Sequence, residues 1–179
     1  RCTLTHDIQY IKENGSAGFV IFATELQKEQ LQEFFSLQIP FVIFDNYFLD
    51  QEVMNVKVNN EQGTFLAVKH LHEYGHKRIG YLCSDVKINS FLERQKCTLS
   101  ALHYFECEEP EKFFYTIGYA SENAENGMDK LLDSVSLHDL PTAFLADNDL
   151  VAIGAMQSIK KHGFCIPDDF SIIGYDDRP

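Results

Sequence analysis

Pro141-Thr142-Ala143-Phe144-Leu145-Ala146-Asp147-Asn148-Asp149 and Phe170-Ser171-Ile172-Ile173-Gly174-Tyr175-Asp176-Asp177 are the two stretches that decide the fold. In each, a short continuous apolar run (residues 143–146 and 170–174) empties directly into acidic and amide residues. Runs of this length without alternation are the pattern of strands buried on both faces, as in parallel sheets. In an open α/β sheet, ligands collect in the crevice outside the carboxyl ends of the strands, so side chains just past a strand point at what is bound. Asn and Asp at such positions also form turns and cap the next helix, and both readings apply here.

Working outward, the device recurs. Residues 6–14 carry Ile8 and Ile11 on one side of a short amphipathic helix closed by Gly15. The apolar run 18–22 predicts a strand buried on both faces, with Thr24 as the cap of a helix bearing Leu31, Phe34 and Phe35. Further strands are expected at 41–44, ending in Asp45-Asn46, and at 56–58, leading to Asn59-Asn60. Asn60 is the candidate cap of a helix with Phe65, Val68, Leu71 and Tyr74 on one face, ended by Gly75. His76 then satisfies the helix-end carbonyls, a structural role. A strand at 79–83 empties into Ser84 and Asp85, and helices and strands alternate from there to the quoted stretches. Asn148 or Asp147 caps the helix bearing Ala152, Ala155, Met156 and Ile159. Roughly seven strands alternating with helices give right-handed βαβ units and a parallel, doubly wound α/β fold.

A chain of 179 residues with 45% hydrophobic and 23% charged residues is long enough to bury a core, as one domain or two small lobes. The net charge of −12 argues against nucleic-acid binding by this segment, because phosphate contacts need a surface rich in Lys and Arg. Five widely spaced cysteines without a CxxC pair suggest neither a disulfide framework nor a zinc site; reduced thiols and a cytoplasmic location are expected. No run reaches the roughly 18 apolar residues of a membrane span. The chain opens mid-helix and stops one step past a strand, and so reads as a fragment incomplete at both ends.

The motifs of common enzymes are missing: no Gly-x-Ser-x-Gly elbow, no Gly-x-x-x-x-Gly-Lys-Ser/Thr phosphate loop, no His-Glu-x-x-His and no Gly-x-Gly-x-x-Gly after a strand. An enzyme is not expected, nor is a cofactor or metal. What remains are polar residues at strand ends, Asp45, Ser84, Asp85, Asn148, Asp149 and Asp176, with Arg94 early in the next helix. A carboxylate only accepts hydrogen bonds, a guanidinium only donates, and a carboxamide does both, a mixture that matches adjacent hydroxyl groups. Tyr119 either stacks on the apolar face of a sugar or base or covers a helix end. For Arg94 the alternative is a solvated surface charge; for Asp45 and Asp176, a turn.

These stretches resemble the effector-binding domain of the LacI/GalR family of bacterial transcription regulators. The resemblance rests on residues 39–45 (Ile-Pro-Phe-Val-Ile-Phe-Asp), Asn60-Glu61-Gln62-Gly63 running to His70-Leu71, Tyr74-Gly75-His76-Lys77-Arg78-Ile79, residues 141–149 with Ala152 and Gly154-Ala155-Met156, and residues 163–177. It implies two doubly wound parallel-sheet lobes of periplasmic-binding-protein-like type, residues 1–57 and 58–179, each incomplete, with a small effector held between them. By position it implies Asp45, Arg94, Tyr119, Asn148 and Asp176 as effector contacts, and Ser84, Asp147, Asp149 and Asp177 as supporting groups or helix caps. The family usually continues its arginine as Arg-x-x-Gly-Tyr, whereas Arg94 is followed by Gln95, Lys96, Cys97 and Thr98.

The function implied is ligand sensing in a homodimeric transcription regulator. The effector is a small molecule, a sugar by the chemistry of the contacts, and operator DNA is held only through a helix-turn-helix head absent from this chain. The alternative is the sugar-binding component of an ABC transporter with the same fold, against which the unpaired cysteines and the Gly75-His76-Lys77-Arg78-Ile79 and Ala146-Asp147-Asn148-Asp149 stretches speak.

Overall fold

The computed structural model describes residues 4–178. They form two compact units: residues up to Val58 with Ile88–Ser90, and Asn59–Lys87 with the chain from Phe91 onward. All strands pair in parallel.

The first unit contains α1 (Leu4–Glu13), β1 (Phe19–Phe22), α2 (Lys28–Phe35), β2 (Phe41–Phe44) and β3 (Met54–Val56), with the strands in the order β1-β2-β3. Its core gathers Ala23, Leu31 and Ile43 with Ile21, Leu26, Phe35, Phe41, Phe48 and Val53 on one face of the sheet. The expectation that the first strand is buried on both faces is not met. Val20 is 55% and Phe22 83% exposed, because side chains alternate along a strand and α2 covers only the face carrying Ile21 and Ile43. Thr24 does not cap α2 either. The N-cap is Gln27, whose backbone N–H donates to Gln30 Oε1 at 2.8 Å in a capping box, while the Thr24 hydroxyl donates to Asp45 Oδ2 at 2.8 Å.

The second unit contains α3 (Asn60–Glu73), β4 (Ile79–Cys83), α4 (Asn89–Tyr104, its first two residues in the first unit), β5 (Phe114–Thr116), α5 (Ser121–Ser134), β6 (Ala143–Ala146), α6 (Asp149–Lys161) and β7 (Ser171–Ile173), with the sheet order β5-β4-β6-β7. β4 and β6 are central and every residue in them is buried, which is why their sequences are continuously apolar. Alternation along these strands divides the core in two. Leu82, Phe144 and Ala146 pack with Met128, Val151, Ala155 and Ile159 of α5 and α6. Tyr81, Cys83, Ala143 and Leu145 pack with Val68, Leu71, Ala101 and Leu102 of α3 and α4 on the other face. Burying a side chain such as Phe144 completely is worth roughly 1.5–3 kcal/mol.

The helix ends follow the sequence with one exchange. α3 is capped by Asn59, whose Oδ1 accepts from the Gln62 N–H at 3.1 Å, and not by Asn60. Gly75, at φ 93°, ends α3 in the left-handed conformation. The His76 backbone N–H donates to the Leu71 carbonyl of α3 at 3.2 Å, but its ring does not serve the helix end; the ring nitrogens lie 2.9 Å from Thr142 Oγ1 and 3.0 Å from Ser171 Oγ, joining the starts of β6 and β7.

Candidate functional site

The carboxyl ends of β4, β6 and β7, the start of α3 and the second turn of α4 bring Asn60, Tyr81, Ser84, Arg94, Asp147 and Asp176 into one hydrogen-bonded cluster in the second unit. Arg94, in the second turn of α4, is 3% exposed, which rules out a solvated surface charge. Its Nε donates to Asn60 Oδ1 at 2.9 Å, one Nη to the Asp147 carbonyl at 2.6 Å and the other to Asp176 Oδ1 at 2.8 Å. The Tyr175 ring lies against the guanidinium, with Cζ 3.8 Å from the ring centroid, a cation–π arrangement. The departure from the family pattern after Arg94 does not disturb the helix: α4 runs unbroken to Tyr104.

Asn148 begins α6. Its Oδ1 accepts from the Val151 N–H at 3.0 Å, the N-cap bond. Its Nδ2 is buried and has no hydrogen-bond partner among the described residues. A buried donor left unsatisfied costs about 1–3 kcal/mol.

Asp147 lies one residue earlier and is completely buried. Its Oδ1 accepts from the Tyr81 hydroxyl at 2.5 Å and its Oδ2 from the Ser84 N–H. Burial pushes this carboxyl up to about 6, against the Tyr81 hydroxyl, the Ser84 amide and the Arg94 charge, which hold it down. The Ser84 hydroxyl accepts from the Val86 N–H at 2.9 Å and so shapes the loop after β4. Asp149 fastens the chain beyond β7: its N–H donates to the Tyr175 carbonyl at 3.0 Å, and its Oδ2 accepts from the Arg178 N–H at 2.6 Å. Asp176 and Asp177 both have positive φ, 93° and 54°, so the turn after β7 aims them by an unusual backbone path.

Tyr119 lies in the bend before α5 and is half-buried, its ring 6.1 Å from that of Phe91, which in turn lies 5.6 Å from the Arg94 guanidinium. Asp45 belongs to the first unit, at the end of β2 with φ 61°; its backbone N–H donates to the Val56 carbonyl at 2.9 Å and its carboxylate takes the Thr24 hydroxyl. An open groove of about 700 Å³ along β5 and α5, lined by Asn123, Asn126 and Lys130 among others, shares no residue with the Arg94 cluster and does not locate the site.

Three residues of the cluster escape the sequence reading. Asn60 positions Arg94, and its own Nδ2 donates to Glu93 Oε2 at 2.7 Å. Tyr175 supplies the ring under the guanidinium, and Tyr81 holds Asp147. The tandem Asn59-Asn60 was the available signal, since one helix needs only one cap.

Residues 68–179 match the family model described as the periplasmic binding protein-like domain. The HTH-type transcriptional repressor PurR of Mannheimia succiniciproducens is 30% identical over 175 residues, which take in 97% of this chain and 51% of that protein. PurR of Actinobacillus pleuropneumoniae serotype 3 is 31% identical over 159 residues, 89% of this chain and 46% of that protein. A regulatory protein of LacI family from Chloroflexus aggregans has a similar structure, with a TM-score of 0.86 at 28% identity over 98% of this chain and 63% of that one. This chain spans about half the length of the curated relatives it matches. No helix among the described residues is long and apolar enough to cross a membrane. The chain belongs to the family of periplasmic binding protein-like domains and is part of an effector-binding domain of the LacI/GalR kind.

Proposed function

We propose that this chain is the ligand-sensing part of a cytoplasmic, homodimeric transcription regulator, and that its effector is a small neutral polyhydroxylated molecule, a sugar. The observation that carries this reading is the buried, unpartnered Nδ2 of Asn148 next to the Arg94–Asp176 pair. A ligand hydroxyl accepts from Asn148 and donates to the Asp176 carboxylate, whose Oδ2 faces the Arg178 guanidinium at 3.8 Å; a hydroxyl both donates and accepts hydrogen bonds, which an ionised carboxylate does not. Asp147, Asp149, Asp176 and Asp177 outnumber Arg94 and Arg178 at this end of the sheet, which disfavours an anion. Asp45 is proposed as a further ligand contact and Tyr119 as the aromatic wall. Residues 1–57 and 58–179 are proposed as the two lobes.

A ligand that binds one lobe arrangement better than another shifts the population between them, and a switch from mostly one to mostly the other needs about 5.5 kcal/mol of preference. Several charge-assisted hydrogen bonds at a buried site are of that order. In the full-length protein this shift is proposed to act on DNA through a helix-turn-helix head.

Among proteins of this fold, a LacI family regulator from Enterococcus faecium has been solved with bound ribose. The test is calorimetric titration of the full-length protein with ribose, other pentoses, hexoses, purine bases and inorganic phosphate. A sugar that binds saturably and is lost in Asp176→Ala supports the reading; binding of a base or phosphate alone overturns it.

A further inference from the structure

The completely buried Asp147 has no counterpart in the ligand contacts described above, yet it touches the elements that build them. We propose that the Tyr81–Asp147 pair is a positioning device: the Asp147 carboxylate ties the end of β4 to the end of β6 and sets where the Arg94 guanidinium stands beside Asn148. The consequence for ligand affinity rests on the function proposed above; the coupling between the groups does not.

Both carboxylate oxygens of Asp147 receive donors, the Tyr81 hydroxyl on Oδ1 and the Ser84 N–H on Oδ2. The residue's own carbonyl receives an Arg94 N–H at 2.6 Å. This arrangement suits the ionised form, which only accepts. The Ser84 N–H cannot become an acceptor, so a proton arriving on Asp147 must sit on Oδ1, and the Tyr81 hydroxyl must reverse to receive it. Protonation also removes one of two negative charges between which Arg94 is held, the other being Asp176. The guanidinium is then biased toward Asp176.

The groups facing Asp147 are few. β4 presents the Tyr81 hydroxyl, pushed above its ordinary range by burial and by the Asp147 charge, and the Cys83 thiol, pushed up to about 12 by burial and then by that charge, so that both stay neutral. α4 presents Arg94 and the Gln95 side chain. Asp176, in the turn after β7, lies on the far side of Arg94. With Tyr81 and Cys83 neutral, the group among these that changes charge between pH 5 and 7.5 is Asp147, whose carboxyl sits at about 6.

The experiment is ligand-free NMR on the full-length protein, with labelled Asp carboxyl carbons and Arg Nε–H groups, from pH 5 to 7.5. The expected result is that the Asp147 carboxyl carbon, assigned by its loss in Asp147→Asn, and the Arg94 Nε–H titrate with one shared midpoint. In Asp147→Asn the Arg94 signal becomes independent of pH. Tyr81→Phe keeps the volume but removes a hydrogen bond to the charged form, and should move the shared midpoint up by about one pH unit. An Arg94 signal that stays flat while the carboxyl titrates, or a midpoint unmoved by Tyr81→Phe, overturns the proposal. Tyr81→Phe decides the matter even where Asp147→Asn fails to fold. No ligand takes part, so an intact coupling alongside a failed sugar titration rejects the ligand reading alone.

Discussion

Arg94 and Asp176 meet at 2.8 Å although 82 residues separate them, with the arginine side chain 4% exposed and the aspartate 27%. The pair closes the end of the sheet by joining α4 to the turn after β7. Arg94 simultaneously serves Asn60 and the Asp147 carbonyl, so its planar fork satisfies three acceptors that diverge in direction.

A lysine cannot reproduce that fork. Arg94→Lys is expected to lower stability by about 2 kcal/mol or more, because it strands a partly buried carboxylate and two buried acceptors. Urea denaturation should show this as a lower midpoint at unchanged slope. A loss under about 0.5 kcal/mol would mean that the arginine is held for ligand contact and not for the fold.

The two halves of the Asn148 amide are separable by mutation. Asn148→Ser keeps an N-cap acceptor and should cost little stability, whereas Asn148→Ala loses the cap and about 1 kcal/mol. Both lack the Nδ2 donor, so both should weaken binding of the identified sugar at least about tenfold, equivalent to about 1.4 kcal/mol. Parallel thermal melts and titrations of the two variants check the split.

Asp147 gives a pH signature in stability. Its folded carboxyl stands at about 6 against an ordinary 3.8, so the folded chain holds that proton more tightly than the unfolded one. Its stabilising contribution is complete below 3.8 and disappears as pH rises through about 6. Asparagine in its place can accept from the Ser84 N–H and donate to the Tyr81 oxygen without titrating. The stability of the wild type relative to Asp147→Asn should therefore fall between pH 4 and 7, by at most about 3 kcal/mol. Denaturant midpoints measured across that range test the sign.

Gly154 lies where α6 crosses α5, and a Cβ there would run into the Ser121 carbonyl and come within 2.7 Å of the Ala124 Cβ. Alanine gains about 1 kcal/mol of helix propensity, but overpacking against backbone costs typically 1–3 kcal/mol. Gly154→Ala should be net destabilising in thermal or denaturant unfolding; a gain in stability would show that the two helices separate easily.

The alternation of strands and helices was legible because β4 and β6 are buried on both faces and carry no polar interruption except Tyr81. That exception was where the reading stopped short. Tyr81 meets Asp147 only because β4 and β6 are neighbours in the sheet, a pairing across 66 residues that local pattern does not contain. From sequence, Asp147 therefore resembled one more turn or cap residue. Thr24 and Asn60 differ from expectation for a related reason: each has the local context of a helix cap, while a longer-range partner, Asp45 or Arg94, claims its side chain. The exposure of Val20 and Phe22 was not legible either, since an apolar run looks the same whether one face or two are covered.

The N-cap bond of Asn148 has a further consequence. Because Oδ1 is committed to the Val151 N–H, turning the amide over would set Nδ2 against that donor and uncap α6. In the proposed site the amide would work as a fixed gauge: it could not adapt to a ligand that offers a donor at that point, and the effector would have to bring an oxygen or nitrogen lone pair to one place at one distance. On that proposal, a change of ligand preference would have to come from the residues around Asn148, because the helix it begins holds its amide in one orientation.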